Sequence, residues 1–430
     1  MDLRAFLSEL DIAGELRHVT TPTDPLFEVA QQIAARDGEP RLFEQLPGYP
    51  GWRMVSGYVA QRAHFARAIG CEVTELIHRI TAALAQPSPP PVAKTAPCQE
   101  IVMSEVDLRR LPIPRYHPLD GGPYVTSGVT VVHDLDFGQN LSFHRMLVRD
   151  PQHFTARIVE KRGTHTAWQK QPDGLPIAVC IGLPPQVLLA AAMSPPKHVD
   201  EAAIAHALAA TPLVRATTSA LKIPAQAELV LEGVLTHEFD REGPFPDLTG
   251  TMDAVRQQPV FRVTAITHRQ NPIFHALLPA GLEHKNLMGM PREPTIVAEV
   301  NNVARCTGVS LTPGGGAWLH AVVQIDKQGP EDGRRAIEAA FRGHSSLKHV
   351  VVVDTDVDVY DPHDVEWAIA TRVQAGTDLL IFRDQPSSSL DPSARQVPGE
   401  KARSDKVGLD ATIPWGASKK GYTRVTYKPD

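Results

Sequence analysis

The chain has 430 residues, of which 42% are hydrophobic and 21% charged, with a net charge of −6. That length exceeds one ordinary core and predicts two or three domains. The charge balance gives no electrostatic footprint for nucleic acid or an anionic membrane. No apolar run reaches the length of a membrane span, and Met1-Asp-Leu-Arg-Ala-Phe-Leu7 lacks the basic start and apolar stretch of a secretory signal, so a cytoplasmic location is expected. Cys71, Cys98, Cys180 and Cys306 follow no metal or redox spacing and are expected to be reduced, small apolar residues.

Two apolar-periodic segments open the chain, Asp2–Leu10 and Pro25–Ala34, the second with proline near its first turn, and predict helices in a small α/β unit. Gln86-Pro-Ser-Pro-Pro-Pro-Val-Ala-Lys-Thr-Ala-Pro97 can form neither helix nor central strand and reads as a stiff extended connector. From 98 to about 275 the texture changes. Residues 125–134, 141–150, 177–182 and 227–235 are β-branched, alternating and bounded by Gly, Pro and Asp, which predicts a mostly antiparallel sheet or barrel. Residues 185–193 and 200–208 read as helices inserted in it. The last third returns to α/β: His349-Val-Val-Val-Val-Asp354 is a strand buried on both faces, and Asp361–Arg372 is a helix with Asp361 as N-cap and Pro362 first. Residues 385–406 are rich in Ser, Pro and charge and predict a loop.

Several motifs carry no chemistry. Pro313-Gly-Gly-Gly316 lacks the Lys-Ser/Thr of a P-loop and reads as a turn. Asp354-Thr-Asp-Val-Asp358 has carboxylate spacing suited to calcium but no glycine or closing glutamate, so an acidic strand end is expected. Three other segments carry more. Asn140-Leu-Ser-Phe-His-Arg145 sets a carboxamide and a guanidinium five residues apart. Leu235–Gly250 gathers Glu238, Glu242 and Asp247 with only Arg241 nearby, which fits either a solvated acidic turn or a hard-cation site. Arg157-Ile-Val-Glu-Lys-Arg-Gly-Thr-His165 offers cations beside a glycine, either a basic surface loop or a receptor for phosphate or carboxylate. Glu283 lies in the apolar, Pro- and Gly-bracketed stretch His275–Lys285, where burial would favour a held proton.

Read in order, Pro123-Tyr-Val-Thr-Ser-Gly128, Asn140–Met146, Arg162-Gly163, Ala227–Gly233, Glu242-Gly-Pro-Phe245, Val263–His268, Asp354–Arg372 and Lys406-Val-Gly-Leu-Asp-Ala-Thr412 resemble the UbiD-type decarboxylases that use prenylated FMN. The resemblance spans nearly the whole chain. It implies an α+β multidomain fold: an N-terminal α/β domain with its linker (1–97), a central split β-barrel flavin domain with helical insertions (98–295) and a C-terminal α/β oligomerisation domain (296–430). It implies prenylated FMN supplied by a flavin prenyltransferase, Mn²⁺ or Mg²⁺ at its phosphate, often with K⁺, and a homodimer or larger homo-oligomer. By position, Asn140 and Glu238 match the metal ligands, with His165 as a third. Phe143, His144, Arg145, Arg157, Arg162, Gly163 and Lys406 fall on the cofactor side. Arg145 matches the active-site arginine and Glu283 the acid that protonates the product carbon, with a second acid at Glu242 or Asp247.

Two departures stand out: Gly243-Pro-Phe-Pro-Asp247 where many relatives have Gly-Pro-Phe-Gly-Glu/Asp, and an end soon after Trp415 where many carry a helical extension. The implied reaction is reversible, non-oxidative decarboxylation of an aromatic, heteroaromatic or α,β-unsaturated acid, with the flavin as electron sink. Residues 125–128, 190–193 and 275–282, small and apolar, are expected to wall the substrate. A non-catalytic flavin-binding or assembly protein, or a plain FMN oxidoreductase on a split barrel, is the competing reading.

Overall fold

In the computed structural model, which describes residues 1–396 and 400–425, the chain divides into two compact units, Met1–Leu287 and Met288–Asp430. The boundary expected near residue 97 lies inside the first unit. Among the described residues no helix is long and apolar enough to cross a membrane, and all four cysteines are free.

The first unit opens with the helix Leu3–Ile12, capped by the Asp2 carboxylate, which accepts from Ala5 N at 2.8 Å. Its Leu3, Phe6, Leu7 and Leu10 recur at helical spacing and are buried. The second helix begins at Glu28 rather than at Pro25, because Phe27 takes a positive φ of 72° that a helix cannot include. Strands Arg17–Val19, Arg41–Phe43 and Arg53–Ser56 make a small sheet whose fourth strand, Ile273–His275, arrives from far along the chain and pairs in parallel with Arg53–Ser56. That pairing brings residues 276–287 beside the N-terminal segment. The proline-rich connector contributes a two-residue edge strand, Val92–Ala93, paired with Leu213–Val214.

The central sheet has nine strands, mostly antiparallel, built around the long hairpin Leu229–Glu242 with Arg256–His268. Two irregularities shape that hairpin. At Gly233 a Cβ would lie 2.0 Å from the Arg262 carbonyl oxygen, so only glycine fits. Between Leu235 and Phe239 the register slips, with three residues opposing one, and Thr236–Glu238 leave the ladder. The strand predicted over 141–150 is also broken: Gly138–Phe143 and Met146–Val148 belong to different pairings, with His144 and Arg145 at the break. The expected helices are present as Pro185–Ala191 and Glu201–Leu208, the latter capped by Asp200.

The second unit is a five-stranded sheet in the order Arg305–Leu311, His320–Asp326, His349–Asp354, Arg403–Ala411, Leu379–Pro386. The three middle strands run parallel. The valine run of His349–Asp354 serves two cores at once, Val350 and Val352 on one face and Val351 and Val353 on the other. Pro313–Gly315 is the turn expected between strands, and Asp354 and Asp356 pair with the fully buried Arg372, which accounts for the acidic strand end. Asp361 caps the helix Pro362–Arg372 as its sequence predicts.

Lys406 lies in this unit, buried, with Nζ donating to the Ser345 carbonyl at 2.7 Å and sitting over the Phe341 ring. Burial, with a smaller push from Lys401, lowers its pKa to about 8. The folded value lies below the unfolded one of 10.5, so the folded chain holds fewer protons between those limits and gains stability as pH rises through that window. Relative to a Lys406→Met variant, the cofactor-free wild type should gain up to about 3 kcal/mol between pH 8 and 10.5, measured by chemical denaturation. Equal pH dependence of the two chains would show that the lysine is not desolvated. Flavin retention by the same variant tests the cofactor-side placement that the resemblance implies for Lys406.

Candidate active site

Where the strand breaks, the Arg145 guanidinium enters a cluster of three carboxylates. Its Nε and Nη2 donate to Glu242 Oε1 and Oε2 at 2.8 and 3.0 Å, a bidentate pair. Its Nη1 donates to Asp247 Oδ2 at 3.0 Å and Nη2 also to Asp253 Oδ2 at 2.9 Å. Glu242 ends the long strand, whereas Asp247 and Asp253 belong to the ribbon formed by Phe245–Pro246 and Met252–Asp253. The Phe245 ring lies 5.2 Å from the guanidinium and 4.0 Å from the Tyr124 ring. Tyr124 Oη donates to Glu242 Oε1 at 3.1 Å and accepts from Gly243 N at 3.0 Å.

The electrostatics follow from this packing. Burial alone would lower the Arg145 pKa, but Glu242, Asp247 and Asp253 outweigh it and raise the group above its ordinary value. Burial would likewise raise Asp253, and the hydrogen bonds from Arg256 and Arg145 overcome it, leaving the carboxyl below its usual range. The Glu242 side chain is fully buried, against 23% exposure for Asp247 and 15% for Asp253. Glu242 therefore depends on Arg145, since an uncompensated buried charge costs about 3–5 kcal/mol. Asp247, the most exposed of the three, accepts from Arg145 Nη1 with one oxygen and from Leu248 N at 2.6 Å with the other, and is the carboxylate most open to solvent. The acidic turn read from the sequence is thus neutralised from 97 residues away, and not by a local base.

A second polar focus lies on the other side of the break. Asn140 Nδ2 donates to Glu201 Oε1 at 3.0 Å and Leu141 N to Glu201 Oε2 at 2.9 Å. Gly163 packs so closely that a Cβ there would meet Asn140 Oδ1 at 3.0 Å. Burial pushes the Glu201 carboxyl up to about 8, against the hydrogen bonds that favour its charge. Among the described residues no cation pairs with it. His144, held neutral by burial with a pKa of about 4, donates from Nδ1 to the Arg157 carbonyl at 3.0 Å and accepts at Nε2 from Thr164 Oγ1 at 2.9 Å. Arg157 is itself lowered by burial and by the neighbouring Arg256 and Arg145, and its backbone N donates to the Arg145 carbonyl at 3.0 Å.

Several sequence-based assignments meet this geometry differently. Arg145, His144, Arg157, Asn140 and Gly163 come together, with Phe143 ending the adjoining strand. Glu238 does not join them: it sits in the bulge that leaves the ladder and is exposed. Glu201 stands against Asn140 in its place. The sequence offered little sign of it, since an acid in the first turn after an Asp cap reads as helix-dipole complementation. His165, one residue beyond Thr164, accepts from Lys161 N and lies 5.8 Å from the Trp168 ring, with no hydrogen bond to Asn140 or Glu201 among the described residues. Arg162 is exposed at the start of its helix. No group of three or more His, Cys, Asp or Glu arranged to hold a metal ion occurs among the described residues. Still, Asn140 and Glu201 fit a hard divalent cation, because a buried carboxylate without a counter-charge and an adjacent amide oxygen supply the donors it prefers.

Glu283 is buried as expected, but its company differs. Oε2 accepts from Gly57 N at 2.9 Å and Oε1 from Val59 N at 3.1 Å, with His275 Nε2 3.3 Å away. Both oxygens are engaged as acceptors that clasp the 57–59 loop, and no hydrogen bond or ion pair joins Glu283 to Arg145. The physical reason is the parallel pairing of Ile273–His275 with Arg53–Ser56, which carries the segment after residue 275 to that loop.

Residues 7–84, 91–282 and 285–411 match in turn the N-terminal, Rift-related and C-terminal domains described for 3-octaprenyl-4-hydroxybenzoate carboxy-lyase, UbiD. The chain is 40% identical over 397 residues to the anhydromevalonate phosphate decarboxylase of Methanocaldococcus jannaschii, covering 91% of this chain and 92% of that protein. It superposes on the UbiD-class enzyme HmfF from Pelotomaculum thermopropionicum in complex with FMN with a TM-score of 0.95, at 37% identity and over 99% and 97% of the two chains. An evolved dimeric form of HmfF in complex with prFMN gives a TM-score of 0.91 at 36% identity, over 99% and 96%.

Proposed function

The chain belongs to the UbiD family of carboxy-lyases, and from that premise we propose that it removes CO₂ from a phosphorylated α,β-unsaturated acid, anhydromevalonate phosphate, using prenylated FMN. The observation that carries the reading is the Arg145 cluster: a guanidinium able to take a carboxylate, beside a partly exposed acid able to return a proton. The relative's name specifies a dehydrated hydroxy acid bearing phosphate, which falls in one of the three classes the sequence leaves open, aromatic, heteroaromatic or α,β-unsaturated.

Loss of CO₂ from an sp² carbon would leave an unstabilised carbanion, and the flavin, when bound, supplies the electron sink that avoids it. Asn140 and Glu201 would hold a divalent cation near its phosphate. Arg145 orients the substrate carboxylate. Phe245, with the Tyr124 and Tyr116 rings packed against it at 4.0 and 6.4 Å, keeps water from the reacting carbon. Asp247 delivers the proton that replaces CO₂ on that carbon, while Glu242 stays charged and fixes the guanidinium. Glu283 holds the 57–59 loop in place and does not exchange the proton.

The experiment is co-expression with a flavin prenyltransferase, followed by anaerobic assay of CO₂ release from anhydromevalonate phosphate and from aromatic and heteroaromatic acids. Turnover of the phosphorylated acid at least tenfold above the others is expected. A clear preference for an aromatic acid would overturn the substrate, and no CO₂ release from any acid by the flavin-loaded protein would overturn the function.

A further inference from the structure

A guanidinium has five N–H groups, and Arg145 has committed four of them. The side edge, Nε with Nη2, is filled by Glu242. The end edge, Nη1 with Nη2, is split between Asp247 and Asp253. Both edges are occupied, so an incoming carboxylate must displace a residue already there, and one departure from the end edge frees one N–H for it. Glu242 is the costliest to move, being fully buried and held twice. Asp247 has Arg145 as its only ion-pair partner among the described residues. Asp253 differs from both, because the same oxygen that meets Arg145 also lies 2.6 Å from Arg256 Nη1. It can leave Arg145 without becoming an unpaired buried anion.

We propose that Asp253 is a stand-in for the substrate's carboxylate: it occupies Arg145 Nη2 in the free enzyme and yields that position to the acid, swinging onto Arg256. The inference rests on the reading of Arg145 as the carboxylate-binding group. The register supports it, since Asp253 lies directly opposite Phe245, whose ring is under the guanidinium, so the ribbon presents the acid at the edge where a substrate must arrive. The exchange makes the site selective. An anion can compete for Nη2 on equal terms, whereas a neutral ester or amide cannot, so Asp253 raises the threshold for binding a neutral group. It also keeps Arg145 aligned with Glu242 when no substrate is present.

The test uses the flavin-loaded enzyme and a saturated analogue of the substrate acid, which has no double bond to react, titrated calorimetrically. Asp253→Asn removes the competing charge and should tighten the analogue by about tenfold, the factor that corresponds to ~1.4 kcal/mol, with KM falling in parallel. Arg256→Ala takes away the alternative partner and should move affinity in the opposite direction. A loss of packing would weaken binding in both variants, so opposite signs identify the exchange. Unchanged or weaker binding by Asp253→Asn, or by Arg256→Ala a tightening, overturns the proposal. Arg145→Ala separates the two levels: if it binds the acid as well as wild type, the underlying reading of Arg145 fails; if it loses the acid while Asp253→Asn does not gain, only the stand-in role fails.

Discussion

Asp247→Asn should lower turnover by about 10²–10⁴, the usual worth of a positioned general acid, with flavin content unchanged, and should abolish entry of solvent deuterium into the product. The substitution keeps the side chain's shape and, with its oxygen toward Arg145 Nη1, that bond; its amide nitrogen then faces Leu248 N at a partly exposed position, and the exchangeable carboxyl proton is gone. Glu283→Gln is the informative contrast. Its amide nitrogen must face a backbone N–H, either Gly57 on the side that also meets His275 or Val59 on the other, and a donor left against a donor in a buried site costs about 1–3 kcal/mol. That variant should therefore lose stability and some turnover yet still place deuterium in the product. Should Glu283→Gln abolish deuterium entry while Asp247→Asn retains it, the proton passes through Glu283, and the cluster around Arg145 only binds.

The contrast also shows what a sequence conveys. Periodicity located the helices at Leu3–Ile12, Glu201–Leu208 and Pro362–Arg372 because their caps and buried faces are local. The two-faced valine strand at His349–Asp354 was legible for the same reason. The Asn140–Arg145 spacing marks the segment where the strand breaks, since five residues across that break place the amide and the guanidinium on two adjoining polar foci. What stayed hidden depends on long-range pairing. Glu283 sits in apolar company, but only the joining of Ile273–His275 to Arg53–Ser56 reveals that backbone N–H groups of the 57–59 loop await it. Glu238 reads as one of several clustered acids until the three-against-one bulge turns it outward. Asp253 carries no signal at all until the ribbon register sets it opposite Phe245.

Glu201→Gln should cost the protein its divalent metal, and with it much of its flavin, whereas Glu238→Gln should cost neither. Glu201 is a buried acid whose neighbours are an amide, a backbone N–H and another acid, Asp200, with no cation among the described residues to balance it. Retaining such a group is unfavourable in an empty site, and a hard divalent ion held by Glu201 and the Asn140 amide oxygen would offset that cost. The glutamine variant keeps the acceptor to Leu141 N and the packing but loses the charge, so the apo fold should be as stable as wild type or more so. Metal affinity should fall by at least about tenfold, since even outer contacts to a metal's ligands are worth 10–100-fold. Elemental analysis and flavin absorbance of protein co-expressed with the prenyltransferase give both readings at once. Full metal in Glu201→Gln, together with its loss in Glu238→Gln, would return the site to the bulge and reject the Asn140–Glu201 pair.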